Sequence, residues 1–308
     1  MKKILAFLLL LPVLCCGLQA GTEEEAAAEM ERLQQKYERK TFKQVRAEVK
    51  AGYTESAADL ADLYYRGCGT KKNYKKAYKY YKKAAAHGDD YAAYAQAFML
   101  MHGQGVKQNR QAAFNRLYIL ADDGVAFAAF ELSRAYQNGS GCEKNPQQAR
   151  RWLRFAADRH VPRAMLELGT QLLDENPEEG FKLIKEAADL ESRRAQYLAA
   201  RCYQDGTGTY QRPRLAFEYM LRAAKQKYRP AQWQIAQWYA QGYGTEQSDY
   251  QAFRWTRLAA INGLTQAKQR LSEIYEKGIG VPASRRLAKE WAQKALEPET
   301  PPAEQELY

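Results

Sequence analysis

Residues 231–255 read AQWQIAQWYAQGYGTEQSDYQAFRW. Ala231, Ile235 and Tyr239 stand four apart, which puts their side chains on one face of a helix. Ala236, beside Ile235, keeps that face shallow enough for a neighbouring helix to approach closely. Gly242 ends the helix, because glycine takes the left-handed conformation of a C-cap at little steric cost. Gly244 keeps the turn tight. Ser248 offers a side-chain oxygen to an orphan backbone N–H, so a second helix starts there. Ala252 and Trp255 form its inward face. The stretch therefore encodes two helices joined by a Gly-x-Gly turn.

The same sentence is written along most of the 308-residue chain. Gly-x-Gly triplets begin at Gly67, Gly103, Gly139, Gly206, Gly242 and Gly278, with steps of 36, 36, 67, 36 and 36 residues. The long step is one full repeat plus a shortened one of 31. A fixed period in this range marks a stacked array of supersecondary units. The small residue that opens the pattern is Ser56, Ala92, Ala128, Ala164, Ala195, Ala231 and Ala267. Capping residues recur at Asn73, Asn109, Asn145, Ser248 and Ser284, while Arg212 departs and Pro213 keeps the start signal. The second helices carry Ala77, Ala113, Ala149, Gly180, Ala216, Ala252 and Ala288, followed by large apolar residues such as Tyr81, Trp152 and Trp291. The fourth repeat lacks its triplet, and Leu173 to Asn176 lead almost directly to Pro177.

This pattern resembles the Sel1-like repeat, a relative of the tetratricopeptide repeat with a longer turn between its helices. The resemblance covers roughly residues 53–296. It implies an all-α fold, a right-handed α/α superhelix (solenoid) of about seven 36-residue repeats. It also implies that the first helices line the concave face, and that such proteins assemble complexes, signal, or act at bacterial envelopes and in host interaction.

The ends read differently. Lys2 and Lys3, the apolar run Ile4 to Leu14 and the small Ala20 form a secretory signal over residues 1–20, too short to span a membrane. No later stretch is long and apolar enough to span one. Cys16 raises lipoprotein anchoring, but Leu14-Cys15 is a poor context for it. Residues 21–52 read as an N-terminal capping helix region, since terminal repeats need a polar outer face and Gly52 is in phase with Gly88. Residues 297–308 form an acidic Pro/Glu tail of flexible composition. Loss of the signal leaves 45 basic against 36 acidic side chains. That balance favours acidic partners, and export argues against nucleic acid.

Nothing in the pattern converges on catalysis. The three histidines, His87, His102 and His160, fall in different repeats and phases, so no metal set is implied. Gly67 to Lys72 lacks the preceding strand and spacing of a phosphate loop. Cys68, Cys142 and Cys202 sit two repeats apart, beyond disulfide reach. No cofactor is indicated. Partner contacts are instead expected at first-helix positions that change from repeat to repeat: Asp62, Phe98, Arg134, Arg201 and Gln237, with Trp238 as a further surface aromatic. A basic ridge of Lys75, Lys76, Lys79, Lys82 and Lys83 is expected on the outer face. The reading is an exported, non-enzymatic scaffold or adaptor that holds a protein or peptide. The alternatives are an envelope-associated binder of anionic polysaccharide, peptidoglycan or lipid through the basic face, and a cell-wall-type hydrolase. Relatives assigned the latter activity carry regular paired cysteines, which this chain lacks.

Overall fold

The structure is a computed structural model that describes residues 41–297. The expected signal, the start of the expected capping region and the tail beyond residue 297 lie outside the described residues. Among those described, helix α1 spans 41–50 and seven helix pairs follow, with no strand. The first three pairs are Ser56–Arg66 with Tyr74–Ala85 (α2, α3), Asp90–His102 with Arg110–Asp122 (α4, α5), and Ala126–Asn138 with Pro146–Asp158 (α6, α7). The fourth and fifth are Pro162–Leu172 with Pro177–Asp189 (α8, α9), and Arg193–Asp205 with Pro213–Lys225 (α10, α11). Arg229–Gln241 with Asp249–Ile261 (α12, α13), and Thr265–Lys277 with Arg285–Lys294 (α14, α15), complete the array. Two compact units divide it. One runs to Val125 and takes in Asn138–Lys144; the other holds Ala126–Gln137 and everything from Asn145. Within each unit helices pack against their chain neighbours, as α2 on α3 and α11 on α12. This is an all-α solenoid.

The core is built from the repeating positions. Ala92, Ala128, Ala164, Ala195, Ala231 and Ala267 are wholly buried, as are Leu60, Leu132, Leu168, Ala199, Ile235 and Leu271 four residues on. Gln96 takes the latter place in the second repeat, and Arg116 donates to its Oε1 at 2.7 Å. Trp152 and Tyr203 are buried, whereas Trp255 and Trp291 are only half-buried.

The turns close as the capping residues predict. Asn73, Asn109, Asn145, Ser248 and Ser284 each accept a backbone N–H three residues ahead, and Arg212 makes no side-chain cap. The cap residue also donates its own N–H back to the first helix, as Asn73 to the Tyr64 carbonyl (2.8 Å) and Ser284 to that of Tyr275 (2.7 Å). From the second triplet on, the second glycine has a larger task than a tight turn. A Cβ on Gly244 would stand 2.2 Å from the Pro213 carbonyl oxygen, and one on Gly208 2.0 Å from that of Pro177. The glycine thus lets one repeat's turn lie on the start of the preceding repeat's second helix.

The shortened fourth repeat has no such glycine, and charge takes its place. Arg150 and Arg154 of α7 pair with Glu175 and Glu179 around the start of α9. Gly169 and Gly180 let α8 and α9 approach closely: a Cβ on either would meet the other's carbonyl oxygen at 2.8 Å.

Candidate functional site

Each first helix presents its non-repeating residues along one stripe at i, i+4 and i+7: the residue before the small position and those three and six after it. The two units carry different chemistry there.

In the first unit the stripe is aromatic and acidic. Asp62 accepts hydrogen bonds from the Tyr81 and Tyr91 hydroxyls, so it ties α2 to α3 and α4. Phe98 is half-buried and packs between Tyr94 (ring centroids 6.4 Å) and His102 (4.4 Å). Asp59 lies near Asp62, Glu48 and Asp89; burial and then these like charges raise its carboxyl above the ordinary range.

In the second unit the stripe is rich in arginine. Arg134 is 44% exposed and lies 3.5 Å from a carboxylate oxygen of buried Glu131. Burial pushes Glu131 upward against the pull of Arg134 and Arg163. Half-buried Glu167 on α8 is likewise raised by burial, against Arg134 and Arg194. Tyr197 and Tyr228 meet edge to face at 5.4 Å, and Arg201 bonds to Tyr197 and pairs with Asp205 at 3.5 Å. Gln237 accepts from Gln234 at 3.2 Å on α12.

The expected site residues therefore separate. In the second unit Arg134 and Arg201 are exposed and Gln237 is half-buried, and in the first unit Phe98 is half-buried at the same repeat position. Asp62 is held by two tyrosines. Trp238 is a correction: it is 2% exposed and packs on Tyr243 at 4.8 Å, so it belongs to the core. Its ring turns inward because it lies one residue before Tyr239, on the flank that faces the Gly-x-Gly turn. Lys75, Lys76, Lys79 and Lys82 are exposed on α3 and Lys83 is half-buried. The stem of Lys76 reaches over the Tyr64 ring, with its ammonium 5.1 Å from the centroid.

Glu131, Arg163, Glu167 and Arg194 were not singled out from sequence. Their signal was present: an acid three after the small residue in one repeat and an arginine just before it in the next, as Glu131 with Arg163 and Glu167 with Arg194. Among the described residues no group of three His, Cys, Asp or Glu side chains is placed to hold a metal ion. No helix among them is long and apolar enough to cross a membrane. No cysteine among them forms a disulfide, and burial pushes the Cys202 thiol up to about 11, where it stays protonated and unreactive.

Comparison with known proteins is consistent with this geometry. The chain is similar to a Sel1 repeat protein from Oxalobacter formigenes at 26% identity and a TM-score of 0.65, covering 77% of this chain and 98% of that one. It is also similar to a protective antigen of uropathogenic Escherichia coli displaying an SLR fold (23% identity, TM-score 0.44, 84% of this chain and 64% of that one). A putative Sel1 repeat protein from Klebsiella pneumoniae shares 19% identity with a TM-score of 0.36, over 76% and 98% of the two chains. No curated protein matches. The Sel1 repeat itself matches at residues 54–89, 90–115, 126–160, 164–192, 193–228, 229–264 and 265–297. With the Sel1 repeat matched in seven segments over residues 54–297, the chain belongs to the Sel1 repeat family.

Proposed function

We propose that this protein is an exported, non-enzymatic adaptor that holds a partner protein along its first-helix face. Sel1 repeat solenoids are commonly used in protein–protein interaction, which is the coarser ground for the reading. The observation that carries it is a division of labour within one helix type. The repeating positions of the first helices are buried, while Arg134, Thr170, Arg201 and Glu273, at a single non-repeating position, are exposed and differ in chemistry. A framework needs the first set alone; the second is free to be chosen by a ligand. Export rests on residues 1–20, and mass analysis of the mature protein from the envelope fraction is expected to show cleavage near Ala20.

The adaptor reading is tested by affinity capture from native extract with the parent and with a variant carrying Phe98→Ala, Arg201→Ala and Gln237→Ala. Loss of a captured protein with the variant, under folding verified by circular dichroism, is the expected result. Identical capture by both would sink the reading.

The exposed lysines of α3 favour a second reading, contact with an anionic envelope component. Binding to peptidoglycan or anionic vesicles that weakens steeply with salt, and is lost on Lys75→Gln with Lys79→Gln and Lys82→Gln, would support it. Salt-independent binding would contradict it.

A further inference from the structure

Helix α3 holds Lys75, Lys76, Lys79, Lys82 and Lys83 and no acidic side chain. At about 100° per residue these lysines fill an arc of about 120° around the helix. Ala77, Tyr81 and Ala84 lie on the opposite side and are buried. Four of the lysines are exposed and Lys83 is half-buried. Among the described residues none of the five pairs with a carboxylate, although cations on other helices do, as Lys185 with Asp189 and Arg286 with Glu290. Lys71 and Lys72, both exposed, precede the helix.

The arrangement opposes the fold rather than serving it. Lys75 and Lys76 stand in the first turn, where a cation works against the helix dipole. Lys75 and Lys79, Lys79 and Lys82, and Lys79 and Lys83 are like-charge neighbours three or four apart, which repel. The repeat does not require them either. Their places are taken in α5 by Gln111, Ala112, Asn115, Tyr118 and Ile119. An anionic partner relieves the repulsion, and the breadth of the arc indicates its kind. A single extended polyanion strand would be met by the line Lys75, Lys79 and Lys82, leaving Lys76 and Lys83 to one side. A surface of many mobile anions engages all five, because each ammonium is a point charge on a flexible four-carbon stem. The arc is edged by aromatic side chains, Tyr78 on one side and Tyr80 on the other, both half-buried. A ring with an apolar body and a polar tip suits the headgroup layer of a bilayer.

We propose that α3 lies flat on an anionic phospholipid surface, with its lysines on the lipid phosphates and Tyr78 and Tyr80 at headgroup level. This rests on the second reading, contact with an anionic envelope component, and names that component. Tyr81 donates to Asp62 of α2 from the side of α3 turned away from the lysines. The membrane contact therefore leaves the first-helix residue Asp62 uncovered.

The test is sedimentation of the full mature chain with vesicles rich in phosphatidylglycerol and with vesicles of phosphatidylcholine alone. Binding to the first and not to the second, falling steeply with salt, is expected. Each lysine near such a surface is worth about fivefold in affinity. Lys75→Gln with Lys79→Gln and Lys82→Gln is therefore expected to weaken binding about a hundredfold, and arginine at the same three positions to retain it. The same loss of charge at exposed positions elsewhere, Lys182→Gln with Lys225→Gln and Lys289→Gln, should change it less than about threefold, since a charge held off the surface is screened. The α3 glutamine variant should melt no lower than the parent, so that lost binding is not lost folding. Equal binding by parent and α3 glutamine variant, or by the parent to both kinds of vesicle, overturns the inference. If the parent sediments with peptidoglycan through the same lysines but not with vesicles, the lipid assignment fails and the second reading stands. If it sediments with neither, both fall.

Discussion

At the scale of the residue, the glycines and the buried acids carry most of the physical information. Gly244 illustrates the first. It sits at φ +69° with the Pro213 carbonyl where its Cβ would be. Gly244→Ala is expected to cost about 2–4 kcal/mol, since it adds both backbone strain and a backbone clash that no side-chain motion relieves. Urea unfolding measures it, and a cost under about 0.5 kcal/mol, the level of an ordinary surface change, would contradict the close approach. Glu131 illustrates the second. Burial holds its carboxyl above the unfolded value, so stability falls as pH rises past the unfolded pKa, and the cost is complete above the folded pKa and absent below the unfolded one. Glu131→Gln is therefore expected to be more stable than the parent at neutral pH, with the gain vanishing toward about pH 4. A gain that is the same at both pH values would disprove this origin. Sequence showed where the glycines are, because they recur in phase. It did not show that the second glycine faces the preceding repeat, since contact across a repeat boundary leaves no mark on local spacing. Trp238 was misplaced for a similar reason: one residue off the repeating tyrosine, its helix phase alone does not say that the turn folds over it.

At the scale of the element, what holds one helix pair to the next is partly polar. Gln196 is wholly buried; its amide donates to the Ala188 carbonyl at the end of α9 and accepts from Gln226, the C-cap of α11. Gln232 repeats the device one pair later, donating to the Ala224 carbonyl at 3.2 Å and accepting from Asn262 at 2.7 Å. Lys268 stands in the same place in the last repeat and donates to the Lys294 carbonyl at 3.0 Å. Gln232→Leu leaves a carbonyl and an amide without their partner and is expected to cost roughly 1–3 kcal/mol, read by thermal or urea unfolding. A neutral result would show that packing alone joins α11, α12 and α13. Helix limits were legible from caps and glycines, and α1 shows why. Phe42 meets Tyr64 edge-on at 5.3 Å, as Phe217 meets Tyr239 at 5.1 Å and Phe253 meets Tyr275 at 5.6 Å. So α1 packs on the first repeat as a second helix does, in keeping with the phase of Gly52. The polar rungs were not legible, because glutamine at a buried position reads like any surface glutamine until its partners are in place.

At the scale of the whole molecule, the account separates a framework that repeats from a surface that does not. Buried small residues, capping side chains and paired glycines recur in most of the full repeats and serve the fold. The aromatic and acidic residues of one unit's first helices and the arginines of the other's do not recur, and recognition is proposed to lie there. That separation is tested most directly by placing a photocrosslinking amino acid at single sites and irradiating in native extract. The sites are Phe98, Arg134, Arg201 and Gln237 on the first helices, against Ile119, Tyr250 and Ile261, which are exposed apolar positions of the second helices. The account predicts a common partner adduct from the first-helix sites and none from the second-helix sites. Adducts confined to Ile119, Tyr250 and Ile261 would contradict it.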